Sequence, residues 1–330
     1  MRKHFIDFPG ASPGNQCKRA DAAAKPGKTD KMAASDRMAN LTSAPAWRIH
    51  LRDYYALTKP EVNLLILMTT SAGYALASRA PFRIFGLLNT LAGTLLVASG
   101  TATLNQWMER VWDGRMRRTA SRPLPSGRVI ARDALGFGLA LSILGGLYLA
   151  TTVNLLAAGL AMATLLSYLL IYTPLKRKTP LCTLLGAFPG AMPTLIGWAG
   201  ASGKIDPRAW FLFAILFLWQ FPHFLAIALM YRDDYARAGY KMLPAFDRES
   251  RFTRAEILGL TLVLIAVTLL PAGRVGPLYG VAMVMAGAFL LYYVAKLTRS
   301  ASIVLASKLV HASVIYLPVV LVAIVAAFKS

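Results

Sequence analysis

The sequence predicts an all-α polytopic membrane protein with nine transmembrane helices, and three observations carry that reading. Mean hydropathy is +0.50 and 56% of the residues are hydrophobic, too apolar for a soluble domain of 330 residues. The apolar residues lie in blocks of roughly 18 to 25, the length that crosses a bilayer core. Each block is continuously apolar where a β-barrel strand would alternate at period two. The net charge of +21 would suggest nucleic acid in a soluble protein. Here the basic residues gather in alternate loops, which is an orientation signal, and no nucleic-acid partner is expected.

Residues 1 to about 46 are rich in Ala, Lys, Asp, Ser, Pro and Gly and hold no apolar run; they are expected to form a disordered cytoplasmic tail. The missing apolar core argues against a signal peptide. Asp7, Asp21, Asp30 and Asp36 argue against an acid-poor mitochondrial transit peptide. A domain from 47 to 330 follows, opened by a short interfacial helix over Trp47–Tyr55. Its nine spans fall at roughly 62–78, 84–108, 133–151, 154–173, 182–201, 208–231, 256–272, 276–296 and 306–328.

Charge sets the orientation. The loop after span two carries Arg110, Arg115, Arg117, Arg118, Arg122, Arg128 and Arg132, and the loops after spans four, six and eight are also basic, whereas the intervening loops hold one or two basic residues or none. The expected topology is a multi-pass protein of a bacterial inner membrane, N-terminus cytoplasmic and C-terminus outside. Cys17 and Cys182 are too far apart in sequence and setting to argue a disulfide framework or a cysteine metal site.

Chemistry concentrates in Asn105–Pro125, which reads NQWMERVWDGRMRRTASRPLP. On a helix continuing from span two, Asn105, Glu109 and Asp113 are spaced i, i+4, i+8 and share one face. Such oxygens suit a hard divalent cation, Mg²⁺ or Mn²⁺, which binds through one or two carboxylates plus substrate phosphates. Arg118 and Arg122, with Lys176 and Arg177 across the next basic loop, could hold phosphate oxygens. The plain alternative is a solvated helix end beside ordinary orientation arginines. Span six also ends in acids, Asp233 and Asp234, which hints at a weak internal duplication with two facing half-sites. Adjacent residues differ by roughly 100° on a helix, so at most one of the two is a ligand candidate.

His223 and His311 lie inside spans six and nine at similar expected depth. They could bracket a large planar ligand, ligate its iron, or serve only as buried hydrogen-bonding groups. Span five carries Gly186, Pro189, Gly190, Pro193, Gly197 and Gly200, which reads as tight helix packing with a kink, or as a flat wall beside a bulky substrate.

These residues resemble the UbiA-type intramembrane polyprenyltransferases. The acid–arginine run, with its M-x-R-T-x-x-R-P-L ending, is similar to the protohaem IX farnesyltransferase branch, as are TKPEVN at Thr58–Asn63, YTPLKRKT at Tyr172–Thr179 and GAFPGAMPTLIGW at Gly186–Trp198. WQFPHFLAIA at Trp219–Ala228, DYARAGYKMLP at Asp234–Pro244 and H-x-S-x-x-Y at His311–Tyr316 complete the set. The resemblance implies nine helices around a central cavity open to the cytoplasmic side. It implies farnesyl transfer from farnesyl diphosphate to the 2-vinyl group of haem B, with haem B as substrate and Mg²⁺ or Mn²⁺ as cofactor. It implies Asn105, Glu109, Asp113 and Asp234 as catalytic residues, Glu109, Asp113 and Asp234 as metal ligands, and Arg118, Arg122, Lys176 and Arg177 at the diphosphate. His223 and His311 would bind haem, and a downstream haem A synthase or terminal oxidase would take the product. Position 238, where the wider family's second motif usually repeats an acid, is Ala here. The competing readings are prenylation of an aromatic quinone precursor and, from another class, a polytopic transporter.

Overall fold

Each apolar block becomes one long helix, and the charged and proline-bearing segments between blocks decide where it stops. A computed structural model describes residues 46–247 and 249–329. The expected disordered tail lies outside the described residues up to position 45. The predicted interfacial helix is α1, Ala46–Leu57. It is followed by α2, Pro60–Ala77, α3, Ile84–Asp113, and α4, Ala131–Thr152. Next come α5, Leu155–Leu166, α6, Cys182–Ser202, α7, Pro207–Met230, and the short α8, Arg232–Arg237. The chain closes with α9, Arg251–Leu269, α10, Pro277–Arg299, and α11, Ile303–Lys329.

Eight of these segments are long and apolar enough to cross a membrane. The expected ninth, α2, falls short of that standard because Pro60, Glu61 and Asn63 make its first turn polar. Starts follow capping chemistry. Asn154 accepts from the Ala157 amide at 2.8 Å, and Asp206 accepts from the Arg208 amide at 3.0 Å with Pro207 in the first turn.

Two local features shape the site. The first is a π-helical stretch, Ser167–Tyr172, that carries α5 into a last turn at Thr173–Leu175. Pro174 has no N–H to give the Leu170 carbonyl, so regular α-helix cannot run through it; the widened turn sets Tyr168 and Tyr172 on the interior cavity. The second is a reciprocal seam between α2 and α6. A Cβ on Gly73 would overlap the Thr194 carbonyl, and one on Gly197 would overlap the Thr70 carbonyl. Only hydrogen fits on either side, so the two backbones touch. Pro189 and Pro193 lie within α6, which remains one helix.

Gly197→Val is expected to destabilise the bundle by about 1–3 kcal/mol through overpacking. Thermal unfolding in detergent would show it as a lower midpoint, and an unchanged midpoint would mean that the seam can open freely.

Candidate active site

The site is built on the last three turns of α3. Asn105, Glu109 and Asp113 are buried there and all face one elongated cavity, as their spacing requires. Each meets a basic or polar partner from elsewhere in the chain. Asn105 accepts from Lys59 Nζ at 3.2 Å and donates to Thr173 Oγ1 at 3.1 Å. Glu109 receives Lys176 Nζ at 2.9 and 3.2 Å. Asp113 Oδ2 receives Arg122 at 2.7 Å, and its carbonyl receives Thr119 Oγ1 at 2.7 Å.

Lys176 is held in place by its own carbonyl, which accepts from the Lys241 amide at 2.8 Å, and by the Tyr172 ring, 4.6 Å from Nζ. Burial alone would lower its pKa, but Glu109 and the flanking tyrosines outweigh burial and hold it well above the usual lysine value. Burial and the Glu109 carboxylate push the Tyr240 phenol well up, so it stays protonated.

Lys59 is the cation the sequence reading did not single out. It sits between α1 and α2 in the left-handed region, at φ 51° and ψ 65°, a strained conformation for a residue with a Cβ. Asn63 secures that turn by donating to the Thr58 carbonyl and to Ser99 Oγ, both at 2.9 Å. Among the described residues Lys59 has no carboxylate partner within ion-pair distance. Burial, with Arg122 and Lys176 nearby, lowers its pKa to about 7. Strain and an uncompensated charge kept together point to a binding role. Lys59→Met is expected to raise the thermal midpoint and to weaken inorganic diphosphate binding roughly tenfold, the loss of one charge-assisted contact. Calorimetric titration reads the second effect, and unchanged affinity would remove Lys59 from the site.

The remaining predicted residues divide. Arg118 lines the cavity, 4.6 Å over the Tyr231 ring. Arg177 stacks on Trp112 at 3.8 Å and is not part of the cavity wall. Asp233 is exposed while Asp234 is buried, as their angular separation required. Asp234 accepts from the Arg117 amide at 3.3 Å, the Arg118 amide at 3.2 Å and the Arg237 guanidinium at 3.0 Å. It therefore braces the basic turn after α3 and is not among the residues that line the cavity. The two acidic helix ends do meet, through that brace.

The two histidines differ in setting. His311 is exposed, its ring 2.7 Å from the Ser307 carbonyl one turn back. His223 is half-buried and turns towards α11, where its Nδ1 lies 2.8 Å from Ser313 Oγ.

The cavity has a volume of about 410 Å³. One end gathers four cations, Lys59, Arg118, Arg122 and Lys176, against two carboxylates, Glu109 and Asp113. The rest is lined mainly by apolar groups such as Ile66, Val97, Ile196, Leu216 and Phe224. Thr94 and Glu109 both border it, and at 1.5 Å per residue they stand about 22 Å apart along α3. This is a receptacle for a long apolar chain with an anionic head. Among the described residues no three acidic, histidine or cysteine side chains converge on one point. The two carboxylates with Asn105 nevertheless match the oxygen set by which Mg²⁺ is held when phosphates complete its shell.

The sequence matches the model of the UbiA prenyltransferase family over residues 66–327. The chain belongs to the UbiA prenyltransferase family. Two relatives called protoheme IX farnesyltransferase are among those it resembles. That of Solibacter usitatus is 49% identical over 281 residues, 82% of this chain and 96% of the relative. That of Koribacter versatilis is 44% identical over 283 residues, covering 81% and 90%. A digeranylgeranylglyceryl phosphate synthase structure shares the fold at TM-score 0.67 and 20% identity, covering 85% of this chain and 99% of that one. A UbiA homologue from Archaeoglobus fulgidus, solved with GPP and Mg²⁺, does so at TM-score 0.60 and 16% identity, covering 84% and 100%. This UbiA-family chain is thus a multi-pass helical membrane protein and a prenyltransferase.

Besides Lys59, the polar cavity-lining groups without an assigned role in the sequence reading include Tyr168, Tyr172, Gln220 and Tyr240. The i, i+4 spacing of Tyr168, Tyr172 and Lys176 was the available signal, hidden by the π turn that realigns it.

Proposed function

We propose that the protein transfers the farnesyl group of farnesyl diphosphate to the 2-vinyl group of haem B, with addition of water, giving haem O and diphosphate. The observation that carries this is the surplus of cations at one end of a long apolar cavity, in a chain closely similar to proteins of that activity. Lys59, Arg118, Arg122 and Lys176 bind the diphosphate. Glu109 and Asp113, with Asn105, would hold Mg²⁺ or Mn²⁺, which when bound offsets the charge of the leaving group.

The chain's own part is binding, orientation and exclusion of water. The apolar wall extends the farnesyl chain so that its C1–O bond lies at the charged end. As that bond breaks, the electron pair leaves with the diphosphate, and the basic side chains stabilise the growing negative charge. Tyr168 and Tyr172 line the cavity, where aromatic rings would stabilise the allylic cation. The vinyl group's electrons form the new C–C bond. Water then adds to the resulting cation and loses a proton, leaving the hydroxyethylfarnesyl substituent. The basic loops support a cytoplasmic setting for the charged end in a bacterial inner membrane, and a haem A synthase or terminal oxidase would consume the product.

Purified protein incubated with farnesyl diphosphate, Mg²⁺ and haem B should yield haem O by chromatography and mass analysis. Prenylation of a hydroxybenzoate with no haem O would favour the quinone-precursor reading. Loss of neither donor nor acceptor would favour transport.

A further inference from the structure

Gln220 stands on α7, buried by its neighbours yet on the wall of the reaction cavity. Its Nε2 donates to the Ala187 carbonyl at 3.0 Å and to the Leu216 carbonyl at 3.2 Å. Carbonyl oxygens only accept, so both must face the NH₂ end of the amide, whose protons are then spent. That fixes which way the amide points. Oε1 keeps its lone pairs, and among the described residues no group donates to it. Helix α6 makes room for this oxygen: a Cβ on Gly190 would overlap Oε1, so only hydrogen fits there. The wall around it, with Pro189, Pro193, Leu216 and Phe224, is apolar. A carbonyl oxygen left bare in such a wall costs free energy until a group with a proton to donate comes to it.

Gly186, one turn before Gly190 on α6, has the Tyr172 ring where its Cβ would be, and the same ring lies 4.6 Å from Lys176 Nζ. Oε1 is therefore about one helical turn, roughly 5–6 Å, further along the cavity than the aromatic ring beside the cations. Farnesyl diphosphate brings no donor to this point, since its chain is hydrocarbon and its ionised head accepts. The vinyl group of haem B has none either. Water, the third reactant, is the one with an O–H to offer. The movement of charge agrees with that placement. When the vinyl CH₂ carbon bonds to C1 of the farnesyl group, positive charge passes to the vinyl carbon beyond the new bond, and it is there that water must arrive.

We propose that Gln220 Oε1 holds the reacting water and so sets the hydroxyl group of the product. This rests on the haem-farnesylating reading above. The water donates one O–H to Oε1, which leaves an oxygen lone pair for the cationic vinyl carbon. The C–O bond forms from that lone pair, and the proton released passes to the free diphosphate, so atoms and charge balance. Without a held water the same cation loses a proton from the adjacent carbon to the diphosphate and closes to an alkene. The amide takes no proton itself; it aims one molecule within a wall that otherwise excludes water. Gln220 thus decides between the hydroxylated product and its dehydrated counterpart.

The test uses full-length protein in nanodiscs with farnesyl diphosphate, Mg²⁺ and haem B, and reads the ratio of hydroxylated to dehydrated product by mass analysis. That ratio does not move with overall rate or with the fraction of protein folded, so a merely structural role leaves it unchanged. Gln220→Leu, which keeps the bulk and removes the acceptor, should lower the ratio roughly tenfold, the scale of one lost hydrogen bond. Gln220→Glu, which keeps an acceptor oxygen, should hold the ratio above that of the leucine variant. Gly190→Ala keeps the amide but pushes Oε1 aside; it should lower the ratio in the same direction, and it carries the test if Gln220→Leu does not fold. Wild-type haem O with an unchanged ratio in Gln220→Leu would overturn the inference and leave the reaction standing. So would both products falling together in Gln220→Leu and Gly190→Ala, which would make Gln220 a wall residue only. Neither product from wild type, with a hydroxybenzoate prenylated instead, would overturn the haem-farnesylating reading and this inference with it.

Discussion

Glu109→Gln is expected to lower diphosphate release from farnesyl diphosphate by roughly 10²–10³, the scale of removing one preorganised electrostatic group from a buried site. The substitution keeps the shape and deletes the charge. It withdraws one carboxylate from the metal-competent set and leaves Lys176, held charged by that carboxylate, with a neutral partner. Because Lys176 can turn to the diphosphate, the loss should fall mainly on kcat, with KM for farnesyl diphosphate changed less. Single-turnover measurement of diphosphate release at saturating donor separates the two. Turnover within a factor of three of wild type would remove Glu109 from the reaction centre.

Asp234→Ala should also abolish most activity, by a different route. The carboxylate is buried and accepts two backbone amides and a guanidinium, so its loss leaves two N–H groups unmet, at a cost of about 3 kcal/mol. The turn it braces carries Arg118 and is followed by Arg122. With that turn loosened, KM for farnesyl diphosphate should rise and the thermal midpoint should fall together. Asp234→Asn keeps one acceptor oxygen and should recover part of both. A metal ligand behaves otherwise: kcat would drop while the midpoint held, and increasing Mg²⁺ would restore turnover.

How much of this was legible beforehand depended on what kind of interaction each residue makes. Asn105, Glu109 and Asp113 lie on one element, so the helical repeat alone places them on a common face. Helix order and extent followed from hydropathy because lipid demands an internally hydrogen-bonded segment. Lys59, by contrast, enters from another helix at a left-handed turn, and no periodicity of α3 points to it. Asp234 was legible as a ligand candidate but not as a brace, since its partners are amides of residues 117 positions or nearly so away in sequence. Matching depth brought His223 and His311 together in the reading, yet depth along a membrane normal says nothing about azimuth. The serine two residues beyond His311 was the one turned inward.

The pairing of each α3 carboxylate with its own cation has a consequence for how the protein is made. A pair of bare acids at the end of an apolar helix would resist transfer into lipid. With Lys176 and Arg122 as internal counter-ions, the bundle can assemble before any ligand is present, and the incoming donor exchanges partners with charges already in place. Membrane insertion and cofactor supply are in this way independent steps, so the protein can wait in the membrane, folded, for its substrates.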